Sequence, residues 1–123
     1  MEFIVCTHRL ALAALQQRGW LARLQAVSVQ VIVDTCVVVT PIVRARGGVL
    51  MTNAGKFAHY APGNIGLQVV YGSLAECVRS GAVGRVWRDE ALWTADGRPL
   101  TAASSAENPS SEQSTEDLSL IHI

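Results

Sequence analysis

The sequence carries no excess of charge. Ten Lys and Arg stand against ten Asp and Glu, for a formal net charge of zero. That balance excludes the basic footprint of a nucleic-acid binder and gives no pull toward an anionic membrane surface. Long hydrophobic runs are missing too. The apolar stretches, Val37 to Val39 with its flanks among them, fall far short of the ~20 residues that a membrane-spanning helix needs. Met1-Glu2-Phe3-Ile4-Val5 lacks the basic start and long apolar stretch of a secretory signal. Cysteine is scarce: Cys6, Cys36 and Cys77 are widely spaced and odd in number. This argues against a disulfide framework and favours a reducing, cytoplasmic location. The absence of Cys-x-x-Cys and of a short His-x-x-His spacing argues against a self-contained zinc or ferredoxin-type site. Neither a Gly-x-Ser-x-Gly elbow nor a Walker A loop is present.

What is present is hydrophobic substance. Half of the 123 residues are apolar, enough for one modest domain with a core. Phe3-Ile4-Val5-Cys6 reads as a strand covered on both faces. Thr7 is placed to cap a helix from His8 to Gln17, rich in Ala, Leu and Gln. Gly19 suggests a break before another turn. Val27, Val29, Val31 and Val33 alternate with Ser28, Gln30, Ile32 and Asp34, the period of a strand. Gly47-Gly48 marks a turn, and Val49-Leu50-Met51 a third strand. Thr52 to Tyr60 reads as a polar loop that opens at most a short helix, closed by Pro62-Gly63. Leu67 to Tyr71 is a fourth strand. Ser73-Leu74-Ala75-Glu76 has the spacing of a capping box, and Gly81 is the expected C-terminal cap of the helix that follows. Strands alternating with helices predict an α/β fold with a mostly parallel sheet of about four strands.

After about Gly84 the texture changes. Residues 1–84 are expected to form the folded unit, and residues 85–123 a poorly ordered tail. Thr101 to Asp117 is Ser, Glu, Ala and Thr with one Pro109, too polar to offset chain entropy, so disorder is expected. The last six residues, Leu118 to Ile123, resemble the peptide produced when sequencing-adapter DNA is translated, so no role is expected for His122. The chain also opens directly in a core strand, as if something upstream were missing.

Two segments hold chemistry. Asp34-Thr35-Cys36 sits at the carboxyl end of a strand, where open α/β sheets place ligands. Taken alone, Cys36 reads first as a small buried hydrophobe. The second segment, Met51 to Gly63, gathers Thr52, Asn53, Lys56, His59 and Tyr60 around Gly55. With a helix starting here, its free N–H groups and Lys56 favour a carboxylate or phosphate. A solvated loop explains the same residues equally well. Cys77 shares a helix face with Leu74 and Val78 and reads as core. Cys6 ends a buried strand, where packing outweighs ligation.

Together, Asp34-Thr35-Cys36-Val37-Val38-Val39-Thr40-Pro41, the Met51–Gly63 segment and Tyr71-Gly72-Ser73-Leu74-Ala75-Glu76-Cys77-Val78 resemble the C-terminal part of the aconitase X catalytic (large) subunit. Val5-Cys6-Thr7 followed by a helix is similar as well, and the resemblance runs from about Phe3 to Gly84. It implies part of a three-layer, aconitase-like domain of an iron–sulfur hydro-lyase, a dehydratase of cis-3-hydroxy-L-proline or of phosphorylated mevalonate. It further implies a small swivelling subunit or domain as partner, and a cluster held by three well-separated cysteines, of which Cys36 corresponds to the last. Thr52, Asn53 and Lys56 are then suited to clamp a substrate carboxylate or phosphate, with His59 and Tyr60 nearby as donors or as residues that orient the loop. The chain departs from the family at Ala54, where Ser is common, and so lacks one hydroxyl of the clamp. Two other readings stay open: a non-catalytic α/β anion-binding module, and an inactive truncated fragment.

Overall fold

The computed structural model describes residues 1–43, 47–93 and 118–123. Strand β1 (Glu2–Thr7) is followed by helices α1 (Arg9–Gln17) and α2 (Trp20–Ala26), then β2 (Val29–Val33). Strand β3 (Val49–Thr52), helix α3 (Gly55–Ile65), β4 (Gln68–Tyr71) and α4 (Leu74–Val83) come next. A single 3-10 turn at Glu90–Trp93 precedes β5 (Leu118–His122). The strands form one sheet in the order β2-β1-β5-β3-β4, and every pairing is parallel. The α/β expectation is met, with five strands among the described residues in place of about four.

A parallel sheet buries both faces, so its strands can be apolar at consecutive positions. Val49, Leu50 and Met51 are all buried, and they divide between two cores. On one face Ile4, Leu50 and Leu120 meet Phe57, Ala61 and Leu67 from α3 and its exit. On the other, Val49, Met51, Leu118 and Ile121 meet Cys77 of α4. Helices α1 and α2 lie beside β2 and bury no residue fully.

The last residues, expected as an apolar scrap on a polar tail, lie within the sheet. Leu118–His122 is the central strand. It pairs with β1 through Glu2↔Leu120, Phe3↔Ile121 and Ile4↔His122, and with β3 on its other side. Ser119 bulges out between Val49↔Leu118 and Leu50↔Leu120. The bulge fits because residue 48 is glycine: a Cβ there would lie 2.0 Å from the Ser119 Oγ. Residues 85–89 are not a loose tail either. Trp87 N–H donates to Ser80 Oγ at 2.8 Å, and Asp89 N–H donates to Glu76 Oε1 at 2.8 Å. The expectation of disorder at Thr101 to Asp117 falls outside the described residues.

Smaller corrections have local causes. His8, not Thr7, caps α1, its Nδ1 accepting from Ala11 N–H at 3.3 Å. Strand β2 begins at Val29 because Ser28 takes a left-handed φ of 62° where α2 unwinds. Pro62-Gly63 does not close a loop. It lies inside α3, which runs on to a left-handed Gly66 cap, and Ala61 beside it is buried. The capping box is present, with Ser73 Oγ accepting from Glu76 N–H at 3.2 Å and Glu76 Oε2 from Ser73 N–H at 2.7 Å. Gly81, however, is not the end of α4. The helix continues to a Gly84 cap with φ 74°. Gly81 is small for a packing reason: a Cβ would come within 2.4 Å of the Phe3 ring.

Candidate functional site

The carboxyl ends of the five strands share one edge, and the chemistry-bearing residues gather there. β1 leads to His8 and Arg9, β2 to Asp34 and Cys36, β3 to Thr52 through Lys56, β4 to Gly72 and Ser73, and β5 ends at His122. The connections diverge from the middle of the sheet, β1 to β2 on one side and β3 to β4 on the other. That divergence is where open α/β sheets form a ligand crevice.

Thr52 is the best-anchored of the predicted residues and the least available to a ligand. It is fully buried. Its Oγ1 accepts from Ala54 N–H at 3.1 Å and pairs with His122 Nδ1 at 3.0 Å. The His122 ring meets Phe57 edge-on, centroids 4.9 Å apart. His122 Nε2 is buried without a hydrogen-bond partner, and burial pushes the imidazole pKa below its ordinary value. This neutral histidine fixes the start of the α3 loop. Sequence reading dismissed His122, and its pairing with a residue 70 positions away leaves no local signal.

Helix α3 starts without a side-chain cap, because its N-cap is Ala54. The first helical bond runs from Ala58 N–H to Ala54 C=O at 2.9 Å. The N–H groups of Gly55, Lys56 and Phe57 therefore precede the helical ladder. Asn53 is half-buried at this mouth and Lys56 is exposed. His59 and Tyr60 are exposed one turn on, their rings edge-to-face with centroids 5.0 Å apart. Lys56, His59 and Tyr60 share one stripe of the helix by their three- and four-residue spacing.

Cys36 is exposed, contrary to the bland reading of it as core. Asp34, at φ 54°, turns the chain out of β2, and its carboxylate meets Arg9 Nε at 2.7 Å. The pair is solvent-facing, with side chains 78% and 38% exposed, so it orients more than it stabilises. Val37, Val38 and Val43 then fold back onto the core face that holds Phe57. Two strands separate β2 from β3, which sets Cys36 and the α3 mouth on the order of 14 Å apart along the edge. Burial, and next the charge of Cys36, push the Cys6 thiol up. Cys77, inert in the core as expected, is pushed up to about 11 by burial and by Glu76. Among the described residues no three His, Cys, Asp or Glu side chains come together to hold a metal ion. This chain alone does not fit an iron–sulfur cluster, and it offers Cys36 as one exposed thiol.

Among the described residues no helix is long and apolar enough to cross a membrane. A shallow groove of about 460 Å³ runs along β2, lined by Gln25, Ser28, Val29, Gln30, Val31 and Ile32. It lies away from the carboxyl edge and holds none of the predicted residues.

Residues 1–83 match the family model described as the aconitase X third domain. The chain is 39% identical over 87 residues to a cis-3-hydroxy-L-proline dehydratase of Pseudomonas aeruginosa, covering 69% of this chain and 15% of that protein. A protein of the same name from Hypocrea jecorina is 39% identical over 70 residues, 55% of this chain and 12% of its own length. A phosphomevalonate dehydratase large subunit of Methanosarcina mazei is 39% identical over 56 residues, 46% of this chain and 14% of its length. The chain thus spans under a fifth of each of these relatives. No solved structure matches.

Proposed function

The chain belongs to the aconitase X family, and from that membership we propose that it forms one wall of the active site of a hydro-lyase catalytic subunit. The substrate is a small hydroxy acid, with cis-3-hydroxy-L-proline first and phosphomevalonate second, after the activities that the relatives' names state. The observation that carries this reading is the uncapped start of α3 at the carboxyl edge of the sheet. Three N–H groups precede the ladder there with no side chain of the helix's own N-cap to satisfy them, and exposed Lys56 lies in the same first turn. Gly55 supports it. Its φ is not left-handed, and a Cβ there would meet only the Tyr71 ring at 3.9 Å. The fold does not require glycine at this position, whereas close approach of a ligand does.

In this reading the mouth holds the substrate carboxylate or phosphate, with Asn53 and Lys56 as its side-chain contacts and His59 and Tyr60 bordering it. Thr52 acts from behind, holding Ala54 N–H and so the loop. Cys36 supplies one thiolate toward an iron–sulfur cluster whose other ligands belong to a longer polypeptide, in a reducing cytoplasm that keeps the thiol free. A small swivelling subunit or domain closes the site, in keeping with the large-subunit name of the Methanosarcina mazei relative. On its own, this chain neither retains a cluster nor dehydrates a substrate.

A chimera tests the proposal. Residues 1–83 replace the matching segment of the Pseudomonas aeruginosa dehydratase, and iron content and turnover of both substrates are measured. The chimera should turn over cis-3-hydroxy-L-proline. Lys56→Ala should raise KM by about tenfold or more, the worth of one charged hydrogen bond, and Cys36→Ser should lose iron. Full iron content in the Cys36→Ser chimera would overturn the ligand assignment, and an unchanged KM in Lys56→Ala would overturn the clamp.

A further inference from the structure

The four strands within the family-matched residues 1–83 are β1, β2, β3 and β4. They make two parallel pairs, β2-β1 and β3-β4, and β5, from outside the matched residues, joins them. Without β5 two strand edges stand bare, and such edges template pairing with another chain. Both cores also open, because Leu120 completes one and Leu118 and Ile121 complete the other.

The slot reads its occupant in detail. The strand must run parallel to both neighbours. It is gripped at its end by Cys6 N–H to Ile123 C=O at 2.6 Å and Ile123 N–H to Ile4 C=O at 3.0 Å. Aliphatic side chains are needed at 118, 120 and 121, a bulge must fall opposite Gly48, and a ring nitrogen must meet Thr52. In the chain itself, residues 118–123 meet every one of these demands, and they follow the 24 residues 94–117.

We propose that β5 is an exchangeable strand, and that the slot between β1 and β3 also accepts residues 118–123 of a second copy of this chain, giving a strand-exchanged dimer. The occupant is a second copy because that copy carries the segment fitting both ladders, the bulge and the Thr52 contact. Being covalently joined, the chain's own strand competes as an intramolecular partner, at an effective concentration on the order of mM. Exchange therefore becomes visible when the protein approaches that concentration or when the chain's own strand is disabled.

The test uses two full-length chains, the wild type and Leu120→Asp, and a fluorescein-labelled peptide of residues 117–123 as the donor strand. Leu120→Asp disables its own strand and leaves the slot intact. It should bind the peptide saturably and at least ~tenfold more tightly than the wild type, whose own strand competes, and its thermal transition should rise with occupancy. The same peptide carrying the Leu→Asp change should not bind. The wild type near mM concentration should show dimers by sedimentation, and Leu120→Asp without peptide should show none. Peptide binding by Leu120→Asp no tighter than by the wild type overturns the proposal, as does a wild type that stays monomeric near mM. Should Leu120→Asp be unfolded alone, failure of the peptide to restore its thermal transition overturns it equally.

Discussion

Truncating Leu120 tests whether the last strand belongs to the fold. The side chain is fully buried among Ile4, Leu50, Phe57, Ala61 and Leu67, contributed by two other strands, α3 and the connection after α3. Leu120→Ala removes three carbons. At ~0.8 kcal/mol per buried methylene the transfer loss is about 2.4 kcal/mol. The cavity it leaves adds to that, because α3 and the two flanking strands hold its walls apart, and measured Leu→Ala changes in cores run about 2–5 kcal/mol. A total near 3 kcal/mol is a large part of the stability of a domain this size. With a urea m-value of about 1–1.5 kcal/mol/M for a small domain, the midpoint should fall by about 2–3 M. The control is Leu92→Ala, because Leu92 is 54% exposed, and its effect should stay within about 0.5 kcal/mol. Urea unfolding of the two variants followed by circular dichroism decides the matter. Equal midpoints for Leu120→Ala and Leu92→Ala would refute the seating of β5 and restore the reading of residues 118–123 as an appendage.

Three further outcomes follow from the buried polar groups. His122 has its pKa lowered by burial. Below the unfolded value of about 6.5 the unfolded chain binds the proton and the folded chain resists it. Stability is therefore full above that pH and falls as pH drops toward the folded pKa, by at most ~1.4 kcal/mol per pH unit. From pH 7 to 5 the wild-type urea midpoint should fall relative to that of His122→Leu, whatever the constant offset between them, and parallel profiles would refute this. Glu76 is fully buried and its two oxygens accept from Ser73 N–H and Asp89 N–H. Glu76→Gln turns one NH₂ toward a backbone donor, which should cost about 1–3 kcal/mol and speed hydrogen exchange at Asp89, so unchanged exchange there would count against the tie between residues 85–89 and α4. Iodoacetamide at pH 7.5 should alkylate exposed Cys36 first and half-buried Cys6 more slowly. It should reach Cys77, buried and pushed up to about 11, only on unfolding. Peptide mass mapping that finds Cys77 modified in the native chain would refute the packing of α4.

What the sequence made legible was what lies close along the chain. The Ser73–Glu76 box spans three residues and forms as read, because donor and acceptor are fixed by one helical turn. The alternation through Val29–Val33 places β2, and only its first residues go astray, where Ser28 takes a left-handed turn that its side chain does not announce. Gly81 shows a different limit. A glycine near a helix end has two uses, ending the helix or admitting a neighbour, and the choice was made by Phe3, some eighty residues earlier. The α3 mouth follows the same logic. Thr52 reads locally as a free hydroxyl beside a ligand loop. In the fold His122 arrives from the far end of the chain and takes that hydroxyl, which turns Thr52 from a candidate contact into a brace for Ala54 and the first turn of α3. The geometry of the α3 mouth therefore depends on a strand that local pattern could only call apolar. If β5 leaves its slot, Thr52 loses its partner and the loop its brace. Strand seating and ligand holding at this edge should then rise and fall together.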